Sequence, residues 1–248
     1  MTQNRSAAVM QQRAGAPDSL DDFPTPPWAT RALLEFLAAI GCSLSAQSAW
    51  EPCCNRGYMV RPMREVFANV RASDVMIYPD HVLGADPELI DFATTGFTER
   101  AVDWIVANPP FNLAEEFIAV ARGLARVGCA MLVRGAFTEG TGRYARLFGV
   151  RPPDYELKFS ERVVMLKGRL VRAGVADPFN LDEDGNPRDA STATSYVWLV
   201  WLRMGGGDTR ARWIAPCRLR LERADDYPVY DLPRSAAALP LFDGELAA

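Results

Sequence analysis

The stretch Val102-Asp103-Trp104-Ile105-Val106-Ala107-Asn108-Pro109-Pro110-Phe111, with Leu113 to Arg126 behind it, decides how this chain folds. Val102 to Ala107 is a mostly apolar run of strand length, as expected of a strand buried on both faces. Leu113, Phe117, Val120 and Leu124 recur at helical spacing, which predicts an amphipathic helix from Leu113 to Arg126. Two consecutive prolines stand between them. They remove two backbone donors and fix φ, so the chain must turn there as a stiff corner. A further buried strand is expected over Cys129 to Val133. Strand, corner, helix and strand make one β-α-β unit, and such alternation implies a parallel sheet covered on both faces.

The same alternation extends outward in both directions. Residues 1–20 are polar, without apolar period, and are expected to be disordered. Asp21-Asp22-Phe23-Pro24-Thr25-Pro26-Pro27 is extended, because each proline restricts the residue before it. A helix follows, with Leu33, Leu34, Leu37 and Ile40 on one face and Gly41 closing it. Ser48 to Glu51 reads as a strand, Tyr58 to Phe67 as a helix and Asn69 to Asp74 as a strand. Arg162 to Leu166 and Ser195 to Leu202 read as later strands. The expected fold is α/β: a mostly parallel twisted sheet of about seven strands in one domain over 21–204, with ligands beyond the strands' carboxyl ends. Within it, 173–194 is a polar, turn-rich insertion, too long for an ordinary connection and expected to be functional or mobile. Residues 205–248 form a C-terminal extension and tail.

Composition excludes several classes. No apolar run approaches the roughly 20 residues of a membrane helix, and no signal-peptide stretch opens the chain, so a cytoplasmic protein is expected. Five cysteines without CxxC spacing indicate neither a disulfide framework nor a zinc ribbon. His81 is the only histidine, which excludes a two-histidine metal site and makes a Ser-His-Asp triad improbable. The acids of Asp182-Glu183-Asp184-Gly185 do not match a calcium loop, since the glycine comes too early; no metal is expected. Net charge is −4, yet Arg122 to Arg172 holds eleven basic against four acidic residues. That asymmetry suits either a phosphate-tracking face or a set of solvated helix and loop faces.

The corner also carries chemistry. A conjugated amine has its lone pair delocalised into its ring, and two acceptors gripping its hydrogens would draw the nitrogen toward tetrahedral geometry. The Asn108 side-chain oxygen and the Pro109 carbonyl are placed to be those acceptors. Phe111 is placed to stack on the ring. No strong base is needed, in keeping with the near absence of histidine.

At Asn108-Pro109-Pro110-Phe111 the sequence resembles the amino-methylating DNA methyltransferases, over roughly residues 22 to 202, and most nearly small phage and prophage-type enzymes. Asn at the first position leans toward adenine-N6 rather than cytosine-N4 chemistry. The resemblance implies a Rossmann-like class I methyltransferase fold, S-adenosyl-L-methionine as cofactor, and double-stranded DNA as partner. It implies a catalytic set of Asn108, Pro109, Pro110 and Phe111. It also implies that Glu51, in Glu51-Pro52-Cys53-Cys54-Asn55-Arg56-Gly57, faces the methionyl ammonium. Asn55 stands where relatives have glycine, and is the side chain that best tolerates a left-handed backbone. Gly57 would allow close approach and Asp74 would bind the ribose hydroxyls. Asp91 and Phe92 would hold the adenine, and Thr25 would contact the methionine moiety. Phe159 is the candidate second aromatic against the flipped base, with Phe137 and Tyr155 competing. Arg134, Arg143, Arg162, Lys167 and Arg169 are the candidate DNA-backbone contacts. The tail 238–242, Ala-Leu-Pro-Leu-Phe, resembles a sliding-clamp peptide without its leading Gln. Without room for a large recognition domain or a nuclease signature, an orphan or phage-protective methylase is expected. Alternatives are a ribosomal-RNA guanine-N2 or protein-glutamine methyltransferase, and an inactive nucleic-acid-binding protein of the same fold.

Overall fold

The structure, a computed structural model, describes residues 21–97 and 102–231. The expected disordered segment 1–20 and the clamp-like 238–242 lie outside the described residues. Among the described residues ten strands are found: β1 Ser48–Glu51, β2 Asn69–Asp74, β3 Glu88–Leu89, β4 Val102–Ala107, β5 Ala125–Arg134, β6 Tyr155–Phe159, β7 Ala176–Leu181, β8 Pro187–Asp189, β9 Tyr196–Leu202 and β10 Arg210–Ile214. The helices are α1 Pro27–Ala39, α2 Val60–Arg64, α3 Ala114–Leu124, α4 Thr141–Arg143, continued by a π-turn over Tyr144–Phe148, and α5 Arg218–Leu221.

Eight strands form one sheet in the order β10-β6-β9-β5-β4-β1-β2-β3. All adjacent pairs are parallel except the two that β9 makes, with β5 and with β6. The chain reverses direction of travel across the sheet between β1 and β4, which opens a crevice at their carboxyl ends. β4 shows how the sheet is buried on both sides. Trp104 and Val106 join the layer containing Trp28, Leu33 and Leu37 of α1, while Ile105 and Ala107 join the layer containing Phe117 and Ile118 of α3. Successive side chains of a strand point to opposite faces, so an unbroken apolar run is what such a strand requires.

Four elements differ from the sequence reading, each for a physical reason. The sheet has eight strands rather than seven, because Arg210–Ile214 of the extension pairs in parallel with β6. Its exposed arginines blunt the new edge. Arg162–Leu166 is not a strand; Val163 to Leu166 is buried with only a lone bridge from Leu166 to Arg169. That apolar run is buried by crossing the sheet's carboxyl end, where Met165 meets Thr25 and Asn108. α2 is shorter than Tyr58–Phe67, since Gly57 holds φ at 89° and the turn runs on to Met59. In α3 the buried stripe is Ala114, Phe117, Ile118, Ala121 and Leu124, with Leu113 exposed.

The 173–194 insertion carries a separate two-stranded sheet of β7 and β8. Asp182 Oδ1 accepts from the backbone N–H groups of Asp184 and Asn186, which closes its turn. Arg169 grips its base through a bidentate pair with Asp177, which is 1% exposed.

The extension is tied down by charge. Arg31 of α1, 7% exposed, donates to both oxygens of Asp226 at 2.7 and 2.9 Å and to Glu65. Burial opposes this charge, but the hydrogen bonds that it donates to Asp226 and Glu65 outweigh burial and hold the guanidinium above its ordinary range. Removing one member of a buried pair strands the other. Arg31→Met is therefore expected to cost about 3–5 kcal/mol in urea unfolding, whereas Arg220→Gln, whose Glu35 partner is exposed, should leave the unfolding midpoint almost unmoved.

Candidate active site

The crevice at the switch point encloses about 260 Å³. Thr25, Glu51, Pro52, Asn55, Asp74, Asp91, Asn108 and Pro110 all line it, so eight of the residues singled out from sequence converge on one hollow. Their convergence follows from the topology. β1 delivers Glu51, β2 delivers Asp74 and β4 delivers the corner, all at carboxyl ends of parallel neighbours.

The Asn108 amide is the centre of this arrangement. Its Nδ2 donates to the Phe23 carbonyl and to Thr25 Oγ1, each at 3.0 Å. A carbonyl can only accept, so this bond fixes which end of the amide faces the strap at residues 21–26. Oδ1 is left buried with no hydrogen-bond partner among the described residues. Buried acceptors in proteins are nearly always paired, so this one is a stored capacity to bind a donor. The strap reaches Phe111 as well, whose backbone N–H donates to Asp21 Oδ2 at 2.7 Å.

Glu51 is 2% exposed, and its Oε2 also lacks a partner. Burial, and then the nearby Asp74, push its carboxyl well above the usual carboxylate range. A buried acid of this kind is the natural counterpart of a cationic amine. Asp74 is raised as well, chiefly by burial, although its oxygens accept from the backbone N–H groups of Asn55, Val75 and Met76. Oδ1 accepts two of these bonds and Oδ2 one, so Oδ2 retains acceptor capacity.

The loop between β1 and α2 is built as its sequence requires. Asn55 has φ 50°, the sole non-glycine residue with positive φ among the described residues. Its side chain stabilises that conformation, with Oδ1 accepting from the Arg56 N–H at 2.8 Å and Nδ2 donating to Asp22 Oδ1 at 2.8 Å. Gly57 does not line the hollow. A Cβ there would meet Leu83 Cδ2 at 2.3 Å, so Leu83 and the positive φ, not a ligand, demand glycine.

Other expectations are corrected. Phe92 points into the core, 1% exposed, against Trp50 and Phe117, because the apolar layer beneath α3 claims its ring. Phe159 meets Trp28 edge-on and Pro109 is buried, and neither lines the crevice. Phe111 stands beside it, 5.2 Å from Phe23, with the Arg134 guanidinium 3.6 Å above its ring. Arg143 is occupied by Glu115 and by the Phe137 and Glu139 carbonyls, and Arg169 by Asp177. Neither is free for phosphate. Arg162 and Lys167 are exposed. Sequence reasoning missed Asp22, which ties the strap to Asn55 and Arg56, and Cys53, whose thiol donates to the Asn108 carbonyl at 3.3 Å. The paired acids at 21–22 were the available signal.

No protein-family profile and no curated protein matches the chain. Solved structures do. A candidate RNA methyltransferase from Pyrococcus horikoshii is 12% identical, with TM-score 0.51, covering 82% of this chain and 98% of that one. The fold is that of the Rossmann-like class I methyltransferases. The methyltransferase subunit of a type I restriction-modification system from Streptococcus thermophilus is 9% identical with TM-score 0.49, covering 79% of this chain and 48% of that one. Magnesium protoporphyrin IX methyltransferase from Synechocystis, solved with its S-adenosylmethionine bound, is 14% identical with TM-score 0.40, covering 71% of this chain and 78% of that one. At such identities the likeness speaks for architecture alone. Relative to the expected seven strands, β10 is the addition.

Glu51 yields a pH-dependent prediction. Its folded pKa lies above the unfolded value, so the native state binds the extra proton and loses stability as pH rises from about 4.3 through the folded pKa. Glu51→Gln should therefore raise thermal stability at pH 8 by about 1–3 kcal/mol and leave it nearly unchanged at pH 4.

Proposed function

We propose that the protein transfers a methyl group from S-adenosylmethionine to the exocyclic N6 amine of adenine in DNA. The observation that carries this reading is the unpaired, buried Asn108 Oδ1 in a crevice that also holds the unpaired Glu51 Oε2. One acceptor awaits a neutral amine and the other a cationic one, which is the pair of donors that target base and cofactor bring. The residues fit the cofactor: Glu51 for the ammonium, Asp74 for the ribose hydroxyls and Asp91 for the adenine amine. When bound, the cofactor supplies an electrophilic sulfonium methyl.

The chain's own part is orientation. Phe23 and Thr25 hold the Asn108 amide so that Oδ1 cannot turn away. Gripped by that acceptor, the amine regains lone-pair character as its proton becomes acidic. A base reaching this depth from a duplex must be extruded from its stack. Arg134 now covers the Phe111 face on which that base would lie. The base displaces the guanidinium, which is then placed with the exposed Arg162 to meet backbone phosphates. The left-handed Asn55 supports a formed cofactor loop, against an inactive relative of the same fold.

The test is tritiated methyl donor offered with duplex DNA, ribosomal RNA and protein, followed by nucleoside and amino-acid analysis. Label is expected in N6-methyladenine from DNA; label confined to guanine, to glutamine, or to nothing overturns the proposal. Asn108→Ala should lower kcat on the order of 100-fold or more while calorimetry finds cofactor binding retained.

A further inference from the structure

At the opposite end of the sheet from the crevice lies a second hollow of about 370 Å³, walled by Arg122 of α3, Arg151 and Arg203 over a floor that includes Cys129 of β5 and Trp201 of β9. No acidic residue lines it. The lining holds three guanidinium groups and no carboxylate; Asp154, outside the lining, pairs loosely with Arg151 at 3.9 Å, which leaves Arg122 and Arg203 without an acidic partner among the described residues.

Each arginine can be accounted for. Arg151 is held by its own fold: its Nη2 donates to the Leu202 carbonyl at 3.0 Å and the Gly205 carbonyl at 3.4 Å, yet its Nε is buried without a partner. The nearest acid, Asp154, stands 3.9 Å from Arg151, and its Oδ2 is taken by the Leu202 N–H at 2.7 Å. Arg122 is half-buried and makes no hydrogen bond or ion pair among the described residues. Arg203 is exposed, and its side chain likewise has no partner among them. Burial first, and then the like charge of Arg151, act to lower the Arg122 pKa against the opposing pull of Cys129. A guanidinium does not shed its proton within a protein, so the strain remains as unsatisfied positive charge.

We propose that this hollow is a binding site for a small phosphate-bearing molecule. Guanidinium forks match phosphate oxygens bidentately, and Arg151 is held in place on the hollow's wall by the two backbone carbonyls that its Nη2 engages. The hollow's size lies at the lower end of the roughly 300–1,000 Å³ of small-molecule pockets. Its apolar floor suits an organic body behind the phosphate better than a bare ion. The site stands apart from the adenine reading. Gly128, on its wall, and Arg134, beside the crevice, are six residues apart on β5, about 20 Å at strand rise. A duplex seated on the crevice therefore has no reason to compete for it.

Inorganic phosphate and pyrophosphate are the probes, titrated into the full chain by calorimetry and by thermal shift. Wild type is expected to bind with one-to-one stoichiometry, pyrophosphate more tightly, with a matching rise in Tm. Arg122→Gln should weaken binding at least about tenfold, the loss of one charge-assisted contact. Its Tm without phosphate should rise, because the charge removed has no internal partner. Arg212→Gln, on the exposed edge strand, should bind like wild type. Absence of saturable binding in wild type, equal weakening by Arg212→Gln, or a lowered Tm for unliganded Arg122→Gln would each overturn the proposal. Competition by duplex DNA would do so too, by showing the anion to be nucleic-acid backbone.

Discussion

The Asn108 side chain is held at one end and open at the other, and this asymmetry organises the rest of the site. Its nitrogen is fixed by a strap that arrives from the N-terminal side of α1, and its position is fixed by the strand behind it and the prolines ahead of it. Neither proline can donate, so the corner cannot relax by extending the sheet or starting the helix early. The oxygen therefore stays buried and unpaired. Such a group costs the folded state about 1–3 kcal/mol, and its retention is intelligible when the missing donor comes from a ligand.

The same logic extends to Glu51 and Asp74. Both carboxyls are raised chiefly by burial, and then by a neighbouring acid, Asp74 in the case of Glu51 and Asp22 in the case of Asp74. The loop that carries Asn55 commits one backbone donor, the Asn55 N–H, to Asp74, which orders the acid without neutralising it. The strap adds Asp22, which binds Asn55 and Arg56 together. Cofactor loop, strap and corner are thus one hydrogen-bonded unit, and strain at any one member is felt by the others.

What the sequence made legible was what depends on neighbours a few residues apart. β4, the corner and α3 follow from local period and from proline chemistry. The left-handed Asn55 follows from the intrinsic tolerance of one side chain. Partners distant in sequence were not legible. A count of basic residues could not reveal that Glu115 engages Arg143 or that Asp177 engages Arg169. Phe92 follows an acid in a ligand-like pattern, yet its ring is drawn inward by Trp50 and Phe117. The apolar run at 163–166 is buried as a strand would be, but its burial comes from covering the crevice's end rather than from pairing. β10 required knowledge that β6 would present an open edge.

The most direct measurement is a crystal structure of the protein with S-adenosylhomocysteine and an oligonucleotide bearing a single adenine outside the duplex stack. The account predicts the adenine N6 within about 2.7–3.2 Å of Asn108 Oδ1, with Arg134 withdrawn from Phe111 and the base in its place. An Asn108 Oδ1 still without a ligand partner, while the base amine is held elsewhere, would contradict it.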